Sequence, residues 1–328
     1  TDITVNVANS TLKSTYIPFR VFNNGSGMNN VTINNSTLEG VSRAFWVHIY
    51  SNVDTKGNGV KSSTLNLDIF GNGNTFIASN PNRIIEFGYD NEINFNAEGE
   101  QIVYSAARLK SIANYANSGY SFKGETIKLA ADIDLNNENW TAIGTEEANF
   151  KGTFDGCDYT IKNLKILVSE GKEGKAYLGL FGYAKDATIK NVVFENVDIN
   201  VACLDIDHSQ GHIGAVAGSL EGTSTIENVT VKGDVKVEAT FDANGASRVA
   251  VVAGGNSYGN VTMKNVRIVA NEGSYLKANN NVGALAGQLQ GKSAFEDCSS
   301  NIDVTGKKFF AGGIIGLAAG DQTFTNCH

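Results

Sequence analysis

Ile226-Glu227-Asn228-Val229 decides how this chain reads, because the same phrase returns along it: an apolar residue, one variable residue, Asn or Asp, then Leu, Val or Cys. The other copies are Ile161-Lys162-Asn163-Leu164, Ile189-Lys190-Asn191-Val192, Met263-Lys264-Asn265-Val266, Phe295-Glu296-Asp297-Cys298 and Phe324-Thr325-Asn326-Cys327. Successive Asn or Asp positions stand 28, 37, 37, 32 and 29 residues apart. A period of that size with no helical pattern inside it indicates a solenoid of short strands, each repeat one coil stacked on the last. Asn tolerates the left-handed conformation and bonds nearby backbone, so it suits a strand corner. Stacked corners would let the amides of Asn163, Asn191, Asn228, Asn265, Asp297 and Asn326 bond one another along the axis, a structural and not a catalytic role.

A second phrase alternates with the first. It reads Tyr177-Leu178-Gly179-Leu180-Phe181-Gly182, Ile213-Gly214-Ala215-Val216-Ala217-Gly218, Val249-Ala250-Val251-Val252-Ala253-Gly254, Val282-Gly283-Ala284-Leu285-Ala286-Gly287 and Ala311-Gly312-Gly313-Ile314-Ile315-Gly316. Its closing glycines lie 36, 36, 33 and 29 residues apart. Two phrases at one period give each coil at least two strands, one of them small enough for backbones to approach closely.

Composition agrees with strands and turns. Among 328 residues only 18% are charged, while Gly (36) is abundant and Pro (2) is scarce, as hydrogen-bonded ladders require. The net charge of −8 and the lack of any Lys/Arg cluster argue against a nucleic-acid partner. The best apolar run, Ala311 to Ala319, is too short to span a bilayer. Thr1 opens directly on a strand pattern and His328 closes inside a repeat, so the chain reads as a trimmed piece of something longer. Of the four cysteines, Cys298 and Cys327 occupy the slot of Leu164, Val192, Val229 and Val266, which makes them core residues on neighbouring coils. A disulfide there is geometrically conceivable, and paired buried thiols are the simpler reading.

Three segments are expected. Residues 1–97 carry alternating runs such as Ile3–Val7, Val31–Asn34 and Phe45–Tyr50, with linkers like Ser51 to Ser62 too long for tight hairpins, which favours parallel coils. Residues 98–149 hold a helix near 101–119, capped by Ser105 and ended by Gly119, with Leu109, Ile112, Ala113 and Ala116 at helical spacing. Residues 150–328 are the explicit repeats.

Gly179-Leu180-Phe181-Gly182 and its variants, each followed by the Asn phrase, resemble the GLUG repeats of bacterial surface and secreted proteins. The lead-in, LAADIDLNNENWTAIG at 129–144 and FKGTFDGCDYTIKNLKI at 150–166, is similar to the segment that opens such solenoids in large surface proteins of Bacteroides-type bacteria. The resemblance spans roughly 101–328 and departs from the pattern at Ala250, Cys298 and Cys327. It implies a right-handed parallel β-helix, export to the cell surface and an adhesive role, with no catalytic residues and no cofactor. The expected partner is a glycan or a surface protein, bound by a monomer.

Two sets of side chains point to ligand chemistry. Asp205, Asp207, His208 and His212 gather carboxylates and imidazoles in one inter-repeat loop, a donor set for a divalent ion such as Zn²⁺, although no HExxH accompanies it. Trp46, His48 and Tyr50 alternate with Val47 and Ile49, so together on an outer face they would form a platform for a sugar ring. A solenoid lyase or glycosidase is the enzymatic rival: a glycosidase needs two carboxylates in one cleft, a lyase acidic Ca²⁺ ligands and a basic proton acceptor on one exposed sheet. Only Asp132 and Asp134 share a strand face that way, and they read as solvated or turn-bonding groups. A passive spacer is the remaining alternative.

Overall fold

The computed structural model describes residues 3–23, 29–34, 36–42, 44–49, 65–68, 75–79, 85–88, 100–103, 105–169, 176–202, 211–239 and 247–328. The chain divides into two compact units, Thr1–Ile102 and Val103–His328. Both are parallel β-solenoids.

In the first unit each coil gives one strand to each of three parallel sheets. Ile3–Ala8, Asn29–Asn34 and Leu65–Asp68 form one sheet. Thr11–Ser14, Thr37–Gly40 and Thr75–Ala78 form the second. Phe19–Asn23, Phe45–Ile49 and Ile85–Gly88 form the third. The parallel register, Val5 opposite Val31 and Val31 opposite Leu67, shows why hairpins are absent from this unit's described residues: every return to the same sheet passes through the other two.

The second unit opens with the helix Ala106–Asn117. The Ser105 side chain accepts a bond from Arg108 N at its start, and Gly119 follows its end at φ +110°. Its apolar stripe of Leu109, Ile112, Ala113 and Ala116 is buried. About five turns follow. Five of them are counted by the short parallel sheet Ala176–Leu178, Gly211–Ile213, Arg248–Ala250, Val282–Gly283 and Ala311–Gly312.

Inside the coils, alternate residues of the long strands point inward and stack in columns. Phe154, Ile189, Ile226, Met263, Phe295 and Phe324 occupy one such column in consecutive register. Phe295 and Phe324 stack at 4.9 Å with their rings 9° apart. Beside it Val192, Val229 and Val266 line up, with Cys298 one coil further on. Cys298 is buried, Cys327 is half-buried, and both are free thiols. Burial raises the Cys298 thiol to about 11, so it behaves as a small hydrophobe.

The corners are built from residues in the left-handed region: Asn191 at φ 52°, Asn228 at 53°, Asn265 at 50°, Asp297 at 55° and Asn326 at 52°. Asn228 Nδ2 donates to Asn191 Oδ1 at 3.0 Å, Asn265 Nδ2 to Asn228 Oδ1 at 2.9 Å and Asn326 Nδ2 to Asp297 Oδ1 at 3.0 Å. Asn163 stands elsewhere. It shares a second column with Asp134 and Asn196, bonded at 2.9 and 3.4 Å, because Thr160 lies opposite Val193 and not opposite Thr188. The interval of 28 residues is therefore not a coil repeat, and Leu164 stacks on Val197 and not on Val192.

The outward face carries charge in an ordered way. Lys128, Asp155, Lys190, Glu227, Lys264 and Glu296 form one register column, alternating in sign at every coil. Asp134, Lys162, Glu195 and Lys232 form another, and Lys165, Asp198 and Lys236 a third. Strands about 4.8 Å apart bring each carboxylate within reach of an ammonium, as in Lys190–Asp155 at 3.4 Å and Lys264–Glu296 at 3.2 Å.

Candidate functional site

Each second phrase is a tight corner between two strands. A Cβ on Gly218 would stand 2.6 Å from Leu178 N and 2.8 Å from both Gly182 O and His212 O, so only glycine admits this approach of backbones. The corner turns the residues beyond the glycine toward those at or just before the start of the phrase. Tyr177 meets Tyr183 edge-on at 4.9 Å, His212 meets Ser219, and Arg248 meets Gln288 of the next coil.

This line of facing side chains is polar and mostly buried. His212 Nδ1 lies 3.2 Å from Ser219 Oγ, and its ring meets Tyr177 edge-on at 5.1 Å. The Ser219 hydroxyl donates to Glu221 Oε1 at 2.9 Å. Arg248 donates to Gln288 Oε1 at 3.0 Å, to Ser257 Oγ at 3.2 Å and to the Asn256 carbonyl. Burial lowers the Arg248 pKa, while Glu221 opposes the shift.

At one end this line opens into a cleft of about 890 Å³, lined by Asn117, Trp140, Thr145, Glu146, Glu147 and Tyr177 among others. Trp140 is buried and donates its indole N–H to Leu180 O at 3.1 Å. Asn117 is fixed by Ala142 O at 3.0 Å and Gly144 N at 2.7 Å. Thr145 donates to Glu147 at 3.2 Å. Burial raises the Tyr177 hydroxyl well above its ordinary range, and the hydrogen-bonded Glu146 adds to the shift. Tyr183 is pushed up to about 12, by burial first and then by Glu221 and Glu146. The cleft thus gathers hydroxyls, amides and carboxylates, and its size suits a small ligand or a segment of a larger one.

Of the four metal-ligand candidates, Asp205, Asp207 and His208 lie outside the described residues. His212 sits on the strand Gly211–Ile213 and turns into the buried line. Among the described residues no group of three or more His, Cys, Asp or Glu could hold a metal ion. Trp46 and His48 belong to the strand Phe45–Ile49, where Trp46 stands opposite Arg20 and Glu86 in register. Their side chains, and the whole of Tyr50, lie outside the described residues. Asp132 pairs with Lys162 at 3.0 Å and accepts from Thr160 N at 2.9 Å. Asp134 accepts from Asn136 N at 2.7 Å and from the Asn163 amide. Both carboxylates hold coils together. The cleft escapes a sequence reading because its lining comes from the helix end and from several coils, and nothing in the spacing of Asn117, Trp140 and Tyr177 shows that they meet.

The GLUG motif matches residues 209–236 of this β-solenoid. One similar protein, described as a candidate Gly-rich membrane protein of Evansella cellulosilytica, is 28% identical over 136 residues, or 41% of this chain and 15% of its own length. Another, described as an immunoglobulin A1 protease of Streptococcus sanguinis, is 29% identical over 208 residues, or 61% of this chain and 10% of its own length. The matches thus cover only 10–15% of these curated relatives. A solved structure of a Bacteroides ovatus protein, described as a candidate immunoglobulin A1 protease, shares 20% identity with a TM-score of 0.40, covering 69% of this chain and 74% of that one.

Proposed function

We propose that this chain is a non-catalytic binding module of a surface or secreted bacterial protein, engaging a glycan or protein ligand through its solenoid surface. The cleft beside Tyr177 and Glu146 carries the reading, because it combines a preformed wall with convergent polar groups. The similarity to segments of a membrane protein and of an IgA1 protease, each far longer than the match, supports a module within a large exported protein. Alternating lysines and carboxylates elsewhere on the outer face leave little net charge there, which disfavours a polyanionic ligand along those strands.

A glycan array probed with the purified chain, with and without EDTA, tests the proposal. Capture of specific glycans supports it, and EDTA sensitivity would promote Asp205, Asp207, His208 and His212 to ligand candidates. Silence across the array overturns the glycan reading and leaves a protein ligand, while disappearance of an arrayed glycan overturns the non-catalytic one.

A further inference from the structure

The corner after the second phrase has a constant length in three coils, from Gly218 to Gly222, Gly287 to Gly291 and Gly316 to Gly320. The coil between the first two of these is one residue longer, running from Gly254 to Gly259. The register places the insertion: Ser219 lies opposite Gly255, yet Gly222 lies opposite Gly259, so the extra residue falls within Asn256–Tyr258. Bulges of this kind re-aim a side chain where a regular strand would not. Here the side chain delivered is Tyr258, 81% exposed in the middle of the solenoid.

The bulge is held from three sides. Glu221, one coil below, accepts from Ser257 N at 2.8 Å and from Tyr258 N at 2.9 Å, one bond on each carboxylate oxygen. Arg248 holds the Asn256 carbonyl and the Ser257 hydroxyl. Asn256 is itself buried, and its Oδ1 accepts from Gln290 N, one coil above, at 2.6 Å. Glu221 and Arg248 are only 5% and 2% exposed, so both side chains have been taken out of water to make these bonds. What this arrangement achieves locally is a single conformation for a solvent-facing bulge, and the outward product of that bulge is one aromatic ring. A tyrosine on a fixed backbone offers a flat apolar face and a hydroxyl, with only two side-chain torsions to order on binding. Asn260, two residues further on, is also exposed and adds an amide group.

We propose that Tyr258 is a ligand-contacting residue that stacks on a sugar ring, with Glu221 and Arg248 as the positioning residues that present it. A pyranose matches this surface because it shows an apolar C–H face together with equatorial hydroxyls. The inference rests on the glycan-binding reading above and names one contact for it.

The same glycan array, probed with wild type, Tyr258→Ala, Tyr258→Phe and Glu221→Gln, tests it. For glycans that wild type captures, Tyr258→Ala should lose about tenfold in affinity with an unchanged melting temperature. Tyr258→Phe should retain most of the binding. Glu221→Gln should weaken binding although the ring is still present, and hydrogen exchange should show lost protection of the Ser257 and Tyr258 amides. Undiminished capture by Tyr258→Ala overturns this inference and leaves the proposed function standing. Loss of binding in Glu221→Gln with both amides still protected removes Glu221 from the positioning role. Silence of wild type overturns the glycan reading and this inference with it.

Discussion

Asn228 shows at a single residue why the repeat keeps asparagine. It sits at φ 53°, donates to Asn191 and accepts from Asn265. Alanine there would lose both bonds and also adopt a left-handed backbone, which together cost about 2–4 kcal/mol. Glycine would lose the bonds without the steric strain, so Asn228→Gly should destabilise less than Asn228→Ala in thermal melts; equal losses would refute the strain contribution. Asp297 is the informative exception. A carboxylate has no N–H to donate, so the relay of amide donors stops at Asn265 and resumes with Asn326. Asp297→Asn should connect the two segments and add about 1 kcal/mol, seen as a higher melting temperature. A neutral or lowered value would mean that the corner amides contribute nothing cooperative.

At the scale of strands, the outward charges act as a register device. Lys190 lies between Asp155 and Glu227, and exposed pairs of this kind contribute roughly 0.2–1 kcal/mol each. Lys190→Glu would set three carboxylates in a row and should destabilise by about 1–2 kcal/mol at low salt, less at 1 M salt. An identical loss at both salt concentrations would show that packing, not charge, is responsible. These strands were largely legible in the sequence, because inward Ile189, Ile226 and Met263 recur at one offset from their asparagines. Asn163 misled the spacing argument, since the strand Thr188–Val201 is long enough to carry two corner columns, at Asn191 and Asn196. The first unit's strands Thr11–Ser14, Phe19–Asn23, Thr37–Gly40 and Thr75–Ala78 are not legible, being four or five residues long with weak alternation. The Tyr258 bulge was not legible either: Glu221 and Ser257 meet only because coils stack, and one extra residue in a variable repeat carries no signal of its own.

For the molecule as a whole, stability rests on coil-to-coil contacts, and some of them titrate. Burial alone would raise the Asp155 pKa, but bonds from Cys157 N, Asn191 and Lys190 outweigh it and leave the carboxyl below its ordinary 3.8. Asp132 is lowered in the same way, its burial outweighed by Thr160 N and Lys162. A depressed folded pKa means stability that is complete above the unfolded value and lost as pH falls through the folded one. Acid unfolding should therefore set in below about pH 4, and Asp155→Asn should flatten that part of the stability profile. An unaltered profile would assign the acid sensitivity to other carboxylates. The alternating column from Lys128 to Glu296 also bears on how such a protein can grow or shrink in evolution. Losing one repeat, such as residues 228–264, would set Glu227 against Glu296, whereas losing two, residues 191–264, would restore Lys190 against Glu296. Along this column changes of length follow a parity rule: even-numbered ones keep opposite charges in contact and odd-numbered ones do not, so a single-repeat deletion should gain more melting temperature from 1 M salt than a two-repeat deletion.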